Sequence, residues 1–512
     1  MMKNTARFAQ VEVLKKNSPA AEWTTNPESL RHFWKWGGNW RGIQSRAKHQ
    51  SDIDRERRIA VAEVLKDQYQ RAGQIIPSAM TDFENGSHVI TTGHQLQVGG
   101  GPGYFHYKIL SAIRWAQRMK AEGHDAVAVF WLASEDHDFD EIKTTHGPHG
   151  SRLDWTPEGV EKKGPVGELV WDDEAEKAWS AWAMENGVKT VGVEGLSLTL
   201  ADRMRAWISE WFGNLDLLIV DGNDPELKSM ALHLWEAEWD GSGIGQDVKS
   251  VVEPFENTFG QAQIQPRANN LFVLNDDGSR QRADRWQEKH GKGNWRDLRP
   301  EQHSPNVALR PLYQEFLLQS TAFVGGPSEV SYWMLLDKAF AHHGIQPPAL
   351  LVRDGALILN TKTTQLSKEL NWNPTLPEMR GEEAVNAWAD QKISAQGDLQ
   401  VHFDRWGEAL ENHAKGIHTS TLPATRAALA KMEKEFSAVK KKWRKIVKQQ
   451  HHEKCVAIFD ELEGWISPNG LPQERFINAL ALTSTAGNWS DFTKGWLEAV
   501  KGTDDPQFLI FE

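Results

Sequence analysis

Residues 91–142 read TTGHQLQVGGGPGYFHYKILSAIRWAQRMKAEGHDAVAVFWLASEDHDFDEI, and this stretch decides the fold. A short apolar run ends in Gly93-His94-Gln95 and is followed by a cluster of glycines. Next comes a segment whose apolar residues recur three and four positions apart, as in a helix with one buried face. A second apolar run, 126–132, stops at an acidic cluster. This order predicts a strand, a glycine turn, a helix and a second strand, which together make one βαβ unit.

The pattern of an apolar strand ending in polar residues recurs further along the chain. Residues 215–221 (LDLLIVD) end in a polar turn, and residues 321–324 run into Gly325-Gly326-Pro327-Ser328-Glu329. In open parallel sheets, ligands bind outside the carboxyl ends of the strands. The sequence therefore predicts an α/β fold with a Rossmann-like parallel sheet core, and we expect these polar strand ends to meet at one crevice.

Composition limits the classes of function. The chain has 512 residues, a net charge of −12 and a single cysteine, Cys455. The acidic balance argues against broad binding to nucleic acid, and one cysteine excludes both an intrachain disulfide framework and a multi-cysteine zinc site. No run of about 18 apolar residues is present, and the first residues lack the apolar segment of a signal peptide. We therefore expect a cytoplasmic protein that does not cross a membrane.

Changes in pattern suggest the domain organisation. Residues 1–375 are expected to form the Rossmann-like core, with inserted connecting segments near 144–195 and 225–305, where the composition becomes loose or a small hairpin is indicated. Within 376–466, apolar residues alternate three and four apart along two segments separated by a short break, which predicts an antiparallel coiled-coil hairpin. Residues 467–512 are expected to pack back on the body.

The glycine turn and the helix start that follows it are the first candidate site. Glycines between a strand and a helix let backbone N–H groups approach an anion, although a tight turn alone explains them equally well. The spacing is neither that of a Walker A loop nor that of a dinucleotide fingerprint. His106 and Lys108, close to the helix start, could stabilise charge that builds on a phosphate.

The acidic cluster Glu135-Asp136-His137-Asp138 is the second candidate, and three interpretations stay open. It could bind a metal through oxygen and imidazole ligands. It could instead hold or deprotonate a substrate amine. Some of its carboxylates could also be helix caps, because the helix dipole favours negative charge there. Elsewhere, the Arg310 side chain could pair with a substrate carboxylate through two hydrogen bonds.

The chain resembles a known family of enzymes. Its order and spacing from about residue 80 to the end are similar to those of the bacillithiol-biosynthesis cysteine ligases, the BshC family. The similar motifs are Thr92-Gly93-His94-Gln95, Gly101-Pro102, His106-Tyr107-Lys108-Ile109, Glu135-Asp136-His137-Asp138-Phe139, Arg310-Pro311-Leu312-Tyr313-Gln314-Glu315, Gly325-Gly326-Pro327-Ser328-Glu329 and Ser467-Pro468-Asn469-Gly470 with Gln473-Glu474-Arg475.

The resemblance implies a reaction and an assembly. A member of this family would join L-cysteine, through its carboxyl group, to the amine of glucosaminyl-malate. An amide bond needs an activated carboxylate, for which ATP is the expected donor, and no metal is predicted. The resemblance further implies a homodimer formed through the coiled coil and small-molecule substrates. The net charge and the lack of a long apolar run predict no nucleic-acid or membrane partner.

The resemblance, taken with the motifs, implies roles for individual residues. We expect catalytic residues at His106, Asp136, His137 and Asp138. We expect substrate-binding residues at Gly93, His94, Gln95, Gly101, Lys108, Glu135, Arg310, Gly325, Gly326, Glu329 and Tyr332. We expect nucleotide contacts at Asn469, Gly470 and Arg475.

Two other functions stay open from the sequence. One is a metal-dependent hydrolase or transferase that uses the Glu-Asp-His-Asp cluster. The other is a coiled-coil protein that binds partners without catalysis.

Overall fold

The structure of the protein is a computed structural model. It describes residues 5–9, 13–15, 18–50, 53–157, 164–190, 198–291, 293–370, 381–395, 397, 399–484 and 487–512. The chain divides into two compact units. The first comprises Met1–Ile358 and Glu474–Glu512, and the second comprises Leu359–Gln473. The domain boundaries expected from the sequence stay a prediction.

A five-stranded parallel sheet forms the centre of the first unit. Its strands are β1 (His88–Gln95), β2 (Ala126–Ala133), β3 (Leu217–Asp221), β4 (Ala322–Gly325) and β5 (Ala349–Val352). They lie in the order β5-β4-β1-β2-β3, and every neighbouring pair is parallel. Every residue of β2 is buried, as expected for a strand covered on both faces. The predicted Rossmann-like parallel sheet is confirmed.

The βαβ unit predicted from residues 91–142 is also present. Helix α1 (Gly103–Ala121) connects β1 to β2, and these two strands pair in parallel from His88 opposite Ala126 to Gln95 opposite Ala133. The strand order reverses between β1 and β4, since the chain continues from β1 toward β3 on one side and β4 and β5 lie on the other. Such a reversal opens a crevice at the carboxyl ends of the strands, which is where ligands bind in sheets of this kind.

Smaller sheets surround the central one. A strand at Leu271–Leu274 pairs with two others in antiparallel fashion between β3 and β4, and Gln507–Phe511 joins two strands in another sheet. The remaining strands are Thr5–Ala9 and Gly355–Ile358 beside Gln507–Phe511; Arg280–Arg282 and His303–Pro305 beside Leu271–Leu274; Thr144–His146 with Arg152–Asp154; and Val170–Trp171 with Leu198–Thr199.

Helices account for much of the first unit. Two of them flank β4 along the chain: α2 (Arg310–Leu318) precedes this strand, and α3 (Pro327–Trp333) follows it. The other α-helices of this unit are Pro19–Thr25, Trp40–Lys48, Arg55–Arg71, Ala79–Glu84, Phe139–Ile142, Asp173–Glu185, Leu200–Phe212, Pro225–Met230, Leu232–Asp240, Gly245–Phe259, Ala283–His290, Asp337–His342, Ala479–Ser484 and Trp489–Val500.

The second unit is helical, and two of its helices, α4 (Leu399–Ile417) and α5 (Leu422–Gln450), form an antiparallel pair. The rings of Phe403 and Phe436 stack at 5.5 Å, and Glu411 pairs with Arg426 closer to the connecting turn. The predicted coiled-coil hairpin is confirmed. The other α-helices of this unit are Thr361–Leu370, Gly381–Ser394 and His452–Glu461, and a π-helix spans Leu462–Ile466.

Within the described ranges, no helix combines the length and the apolar character needed to span a bilayer.

Candidate functional site

A cavity of about 730 Å³ opens at the carboxyl ends of β1, β2, β4 and β5 in the first unit. It therefore lies at the strand-order reversal, where the sequence predicted a crevice. Its lining includes six cationic side chains and two carboxylates. The charged lining residues are Lys108, Arg267, Arg280, Arg310, Arg353, Arg475, Asp136 and Glu329.

A buried ion pair crosses the reversal point. Lys108, on α1, places its Nζ atom 2.5 Å from Oε2 of Glu329, on α3, and it also donates to the Gly93 carbonyl at 2.9 Å. The same Glu329 oxygen accepts the Gly326 N–H at 2.7 Å and so caps α3. Burial lowers the pKa of Lys108, and Glu329 opposes that shift. This ion pair connects α1 to α3 and fixes the Lys108 ammonium group at the cavity.

Asp136, just beyond the end of β2, is held by two donors. Its Oδ2 accepts from Gln95 Nε2 at 2.6 Å, and its Oδ1 accepts from the His137 N–H at 2.7 Å. Burial alone would raise the pKa of Asp136, but Arg310, Gln95 and the His137 N–H together bring it below its usual value. Asp136 is therefore an oriented carboxylate that is ionised at neutral pH.

Arg310, at the start of α2, pairs with a buried carboxylate that does not itself line the cavity. Its Nε lies 2.5 Å from Oε1 of Glu135, which is 1% exposed. Burial would lower the pKa of Arg310, but Glu135 and Asp136 raise it above its usual value. Glu135 itself does not line the cavity. Glu135 therefore holds the Arg310 side chain in place through their ion pair.

His94, Tyr104 and Tyr332 add neutral polar groups to the lining. Burial, followed by the charge of Lys108, lowers the pKa of His94 to about 4, so its ring is neutral at physiological pH. Its Nδ1 lies 3.0 Å from the Gln95 carbonyl. Burial also raises the pKa of both tyrosines. All three rings can therefore take part in hydrogen bonds without carrying charge.

The sequence analysis missed three cationic groups of the cavity, Arg267, Arg280 and Arg353. Arg353 follows β5 directly and pairs with Glu474 through contacts of 2.6 and 2.9 Å. The pattern of an apolar strand followed by a polar residue would have indicated Arg353, because this residue directly follows the apolar run at 349–352. Arg280 begins a strand of the segment inserted between β3 and β4, and no pattern along the chain points from that hairpin to the crevice.

The structure brings together ten of the residues that the sequence singled out, on the lining of one cavity. They are Gly93, His94, Gln95, Lys108, Asp136, Arg310, Gly326, Glu329, Tyr332 and Arg475.

His106 lies apart from this cavity, contrary to our expectation. It is fully buried among aromatic rings, with the Trp211 and Trp489 ring centroids each at 5.2 Å. Burial lowers its pKa to about 3. Because α1 turns about 100° per residue, His106 and Lys108 point to different sides of the helix. Its position supports a packing role and not a catalytic one.

The glycine turn is also away from the cavity lining. Gly99, Gly100 and Gly101 have φ angles of 60°, 83° and 54°, and a Cβ at Gly100 would lie 2.8 Å from both His106 and Trp211. The first N–H of α1 donates to the Ile477 carbonyl at 2.8 Å, so the protein itself satisfies a donor that an anion would use. Close packing explains these glycines, including Gly101, without a bound phosphate.

The Glu-Asp-His-Asp cluster does not converge on one point. Glu135 pairs with Arg310, and Asp136 faces the cavity. Burial lowers the pKa of His137 to about 4, and this side chain does not line the cavity. Asp138 is exposed and accepts the Glu141 N–H at 3.3 Å as the cap of a short helix. Among the residues that the structure describes, no group of three or more His, Cys, Asp or Glu side chains is placed to hold a metal.

Three further residues expected at the site do not line the cavity. Gly325 is the last residue of β4 and does not line the cavity. A Cβ added at this position would contact Phe323 and Glu329, so close packing at the turn into α3 explains the glycine. Asn469 and Gly470 form a short 3₁₀ turn in the second unit, where Asn469 has a φ of 55°.

Comparisons with known proteins identify the family. Residues 6–354 match "Bacillithiol biosynthesis BshC, N-terminal Rossmann-like domain", and residues 356–510 match "Bacillithiol biosynthesis BshC, C-terminal coiled-coil domain". A Flavobacterium johnsoniae protein named "Putative cysteine ligase BshC" is 30% identical over 84% of this chain and 85% of its own length. A protein of the same name from Flavobacterium psychrophilum is 28% identical over 85% and 86%.

Among solved structures, Mycobacterium tuberculosis methionyl-tRNA synthetase in complex with methionyl-adenylate aligns with a TM-score of 0.27 and 10% identity, over 56% of this chain and 60% of that one. The two matched family domains, by contrast, run through nearly the whole sequence. The chain therefore belongs to the BshC family of bacillithiol biosynthesis.

Proposed function

We propose that this chain is a carbon–nitrogen ligase that joins the carboxyl group of L-cysteine to the amine of glucosaminyl-malate. Family membership supports the class of reaction. The observation that carries the proposal is the cavity at the strand-order reversal, where an ionised carboxylate and several cations line one space. Such a lining suits two substrates that each carry both an amine and a carboxylate.

Asp136 is proposed to hold the acceptor amine. Its pKa lies below the usual range, so it is ionised and attracts an ammonium group. Gln95 donates to one of its oxygens and fixes the direction of the carboxylate. A carboxylate of lowered pKa is a weak general base, and its principal effect would be to orient the amine toward the carbonyl carbon.

Lys108 is proposed to face the activated carboxyl group. An ammonium group has three N–H donors, and the Gly93 carbonyl and Glu329 take two of them. The third donor is available to an anionic oxygen. Because Lys108 is 2% exposed, its interaction with developing negative charge would be stronger than in water.

ATP is proposed as the activating co-substrate. Amide formation from a free carboxylate requires a leaving group better than hydroxide, and ATP supplies one as phosphate or as AMP. The cationic lining, including Arg475 and Arg353, suits a polyphosphate as well as a substrate carboxylate. We further propose that the enzyme acts in the cytoplasm.

Mass spectrometry of the purified protein with L-cysteine, glucosaminyl-malate and ATP tests the reaction. We expect a product of the mass of the two substrates joined with loss of water. Cysteine labelled with ¹⁸O in its carboxyl group would show which ATP bond breaks, because the label passes to AMP in one case and to phosphate in the other. Absence of product with all three substrates intact would contradict the proposal.

Asp136→Asn tests the role of the acceptor-binding carboxylate. We expect kcat/KM for glucosaminyl-malate to fall about 100-fold or more, because the amine loses a charged partner in a site that is screened from water. Asp140→Asn is the matched control, since Asp140 lies four residues further along the chain and pairs with Lys143 at the surface. Equal activity in the two variants would exclude the proposed role of Asp136.

A further inference from the structure

Arg280, which is partly buried, differs in its partners from three other cations that line the cavity. Lys108 pairs with Glu329, Arg310 with Glu135 and Arg353 with Glu474. No carboxylate in the described part of the chain lies within ion-pair distance of Arg280. Its Nε is buried without a hydrogen-bond partner, and its Nη2 lies a distant 3.5 Å from the Pro305 carbonyl.

The surroundings of Arg280 hold its guanidinium plane in place. The Phe272 ring lies 3.8 Å from the guanidinium carbon, which is close enough for stacking. Both residues come from the antiparallel sheet formed by the inserted segment, where Arg280 pairs with Leu274. Both side chains also line the cavity. A stacked guanidinium of this kind is ready to accept a carboxylate through two parallel hydrogen bonds.

The charges around Arg280 also favour binding of an anion. Burial, together with the charge of Arg310, lowers the pKa of Arg280 to about 10, so the group still carries its charge at neutral pH. Asp136 and Glu135 compensate part of that charge. Asp136, however, already accepts from Gln95 and from the backbone, and Glu135 is paired with Arg310. The partly buried charge of Arg280 therefore lacks a close partner, and a bound anion would compensate it.

We propose that Arg280 binds a carboxylate of the malate group of the acceptor and selects a dicarboxylate-bearing amino sugar over a neutral glycoside. This inference rests on the proposed function for the identity of the acceptor. It assigns substrate selection to the inserted segment, while Asp136 and Lys108, from the central fold, face the reacting groups.

Isothermal titration calorimetry of the full-length protein, without cysteine or ATP, tests the assignment. Glucosaminyl-malate and methyl glucosaminide are the two probes, since the second carries the amine but no carboxylate. We expect Arg280→Met to weaken binding of glucosaminyl-malate about 10- to 100-fold, as for loss of a hydrogen bond to a charged group, and to leave methyl glucosaminide within about twofold. Arg280→Lys keeps the positive charge but loses the two parallel N–H donors of the guanidinium group. Its affinity for glucosaminyl-malate should therefore lie between those of Arg280→Met and the wild type.

Arg282→Met is the matched control, because Arg282 lies on the same strand but pairs with Asp284 at the surface. It should bind both probes as the wild type does. Unchanged glucosaminyl-malate affinity in Arg280→Met, or equal loss of both probes, would overturn the assignment.

The binding measurement separates this inference from the proposed function. If wild-type protein binds glucosaminyl-malate through Arg280 but forms no amide, the assignment holds and the ligase proposal fails. If amide forms and Arg280→Met binds glucosaminyl-malate normally, the ligase proposal holds and the assignment fails.

Discussion

Three of the cations that line the cavity are each placed beside a fixed carboxylate partner. Lys108, Arg310 and Arg353 all have a carboxylate within 2.6 Å, and in each case that carboxylate comes from a segment distant in sequence. Breaking such a pair costs about 3–5 kcal/mol, because the remaining charge stays buried. The pairs therefore keep the cations in fixed positions, which is a condition for preorganised catalysis.

The burial of His106 makes the protein sensitive to acid. The pKa of His106 is about 3 in the folded protein and 6.5 for the free side chain, so the unfolded state binds the proton more tightly. Its contribution to stability is complete above pH 6.5 and is lost as the pH falls toward 3. Between pH 7 and pH 5 this single group should reduce the free energy of unfolding by about 2 kcal/mol.

His106→Leu should remove that contribution, so the variant should lose less stability than the wild type over the same pH interval. Urea unfolding at pH 7 and pH 5 measures the difference. His32→Leu is the control, because His32 is exposed in the same unit. An equal pH dependence in His106→Leu and wild type would show that His106 is not a neutral packing residue.

Sequence reasoning at the residue scale was most successful where a side chain follows a strand. The residues at or just after the ends of β1, β2 and β4 that line the cavity include Gln95, Asp136 and Glu329, because the topology of a parallel sheet gathers its carboxyl ends. It did not predict the position of His106, because a helix that is buried on several sides does not indicate which of its sides lines the cavity. Asp138 shows the same limit, because a cap and a catalytic carboxylate look alike in sequence.

At the scale of single elements, the glycine turn before α1 illustrates how a motif can serve packing. Gly100 has a φ of 83°, and its missing side chain leaves space for His106 and Trp211. Gly123, just after the end of α1, has a φ of 88°, but a Cβ added there would have no atom within 4 Å. The two glycines share a positive φ angle and differ in the space available for a side chain.

Gly100→Ala should therefore destabilise the protein more than Gly123→Ala. A left-handed conformation costs an alanine about 1–2 kcal/mol at either position, and overpacking adds about 1–3 kcal/mol at Gly100 alone. Chemical denaturation of both variants gives the two losses directly. Equal losses would mean that the aromatic groups around Gly100 move aside easily.

The inserted elements could not be related to the site from sequence. The hairpin around Leu271–Leu274 was predicted from its apolar run and turn, and the structure contains it as an antiparallel pair. What the sequence did not indicate is that Phe272 and Arg280 reach the cavity. Such contacts depend on how an insertion folds over the sheet edge, which local periodicity does not encode.

At the scale of the whole molecule, the fold class followed from two periodicities. Alternation of apolar runs with helical spacing predicted the parallel sheet, and the three-four spacing after residue 376 predicted the helical hairpin; the structure has both. The spacing is informative because it reports which face of each helix is buried.

The hairpin α4–α5 leaves large apolar side chains uncovered within the second unit. The exposed fractions are 45% for Trp406, 43% for Met432, 39% for Val439 and 51% for Ile446. A monomeric protein rarely exposes several such residues along one element, and the family resemblance implies pairing through the coiled coil. We therefore predict that the protein is a homodimer in solution and that this apolar stripe lies in its interface.

The double substitution Trp406→Glu and Val439→Glu should convert the dimer to a monomer, because charged groups would have to be buried in the interface. Light scattering coupled to size-exclusion chromatography measures the mass of each species. Ile75→Glu is the control, since Ile75 is 91% exposed in the first unit and the same change there should leave the dimer intact. A wild-type protein of monomeric mass at micromolar concentration, or a double variant that stays dimeric, would contradict the prediction, and the uncovered stripe would then need another explanation.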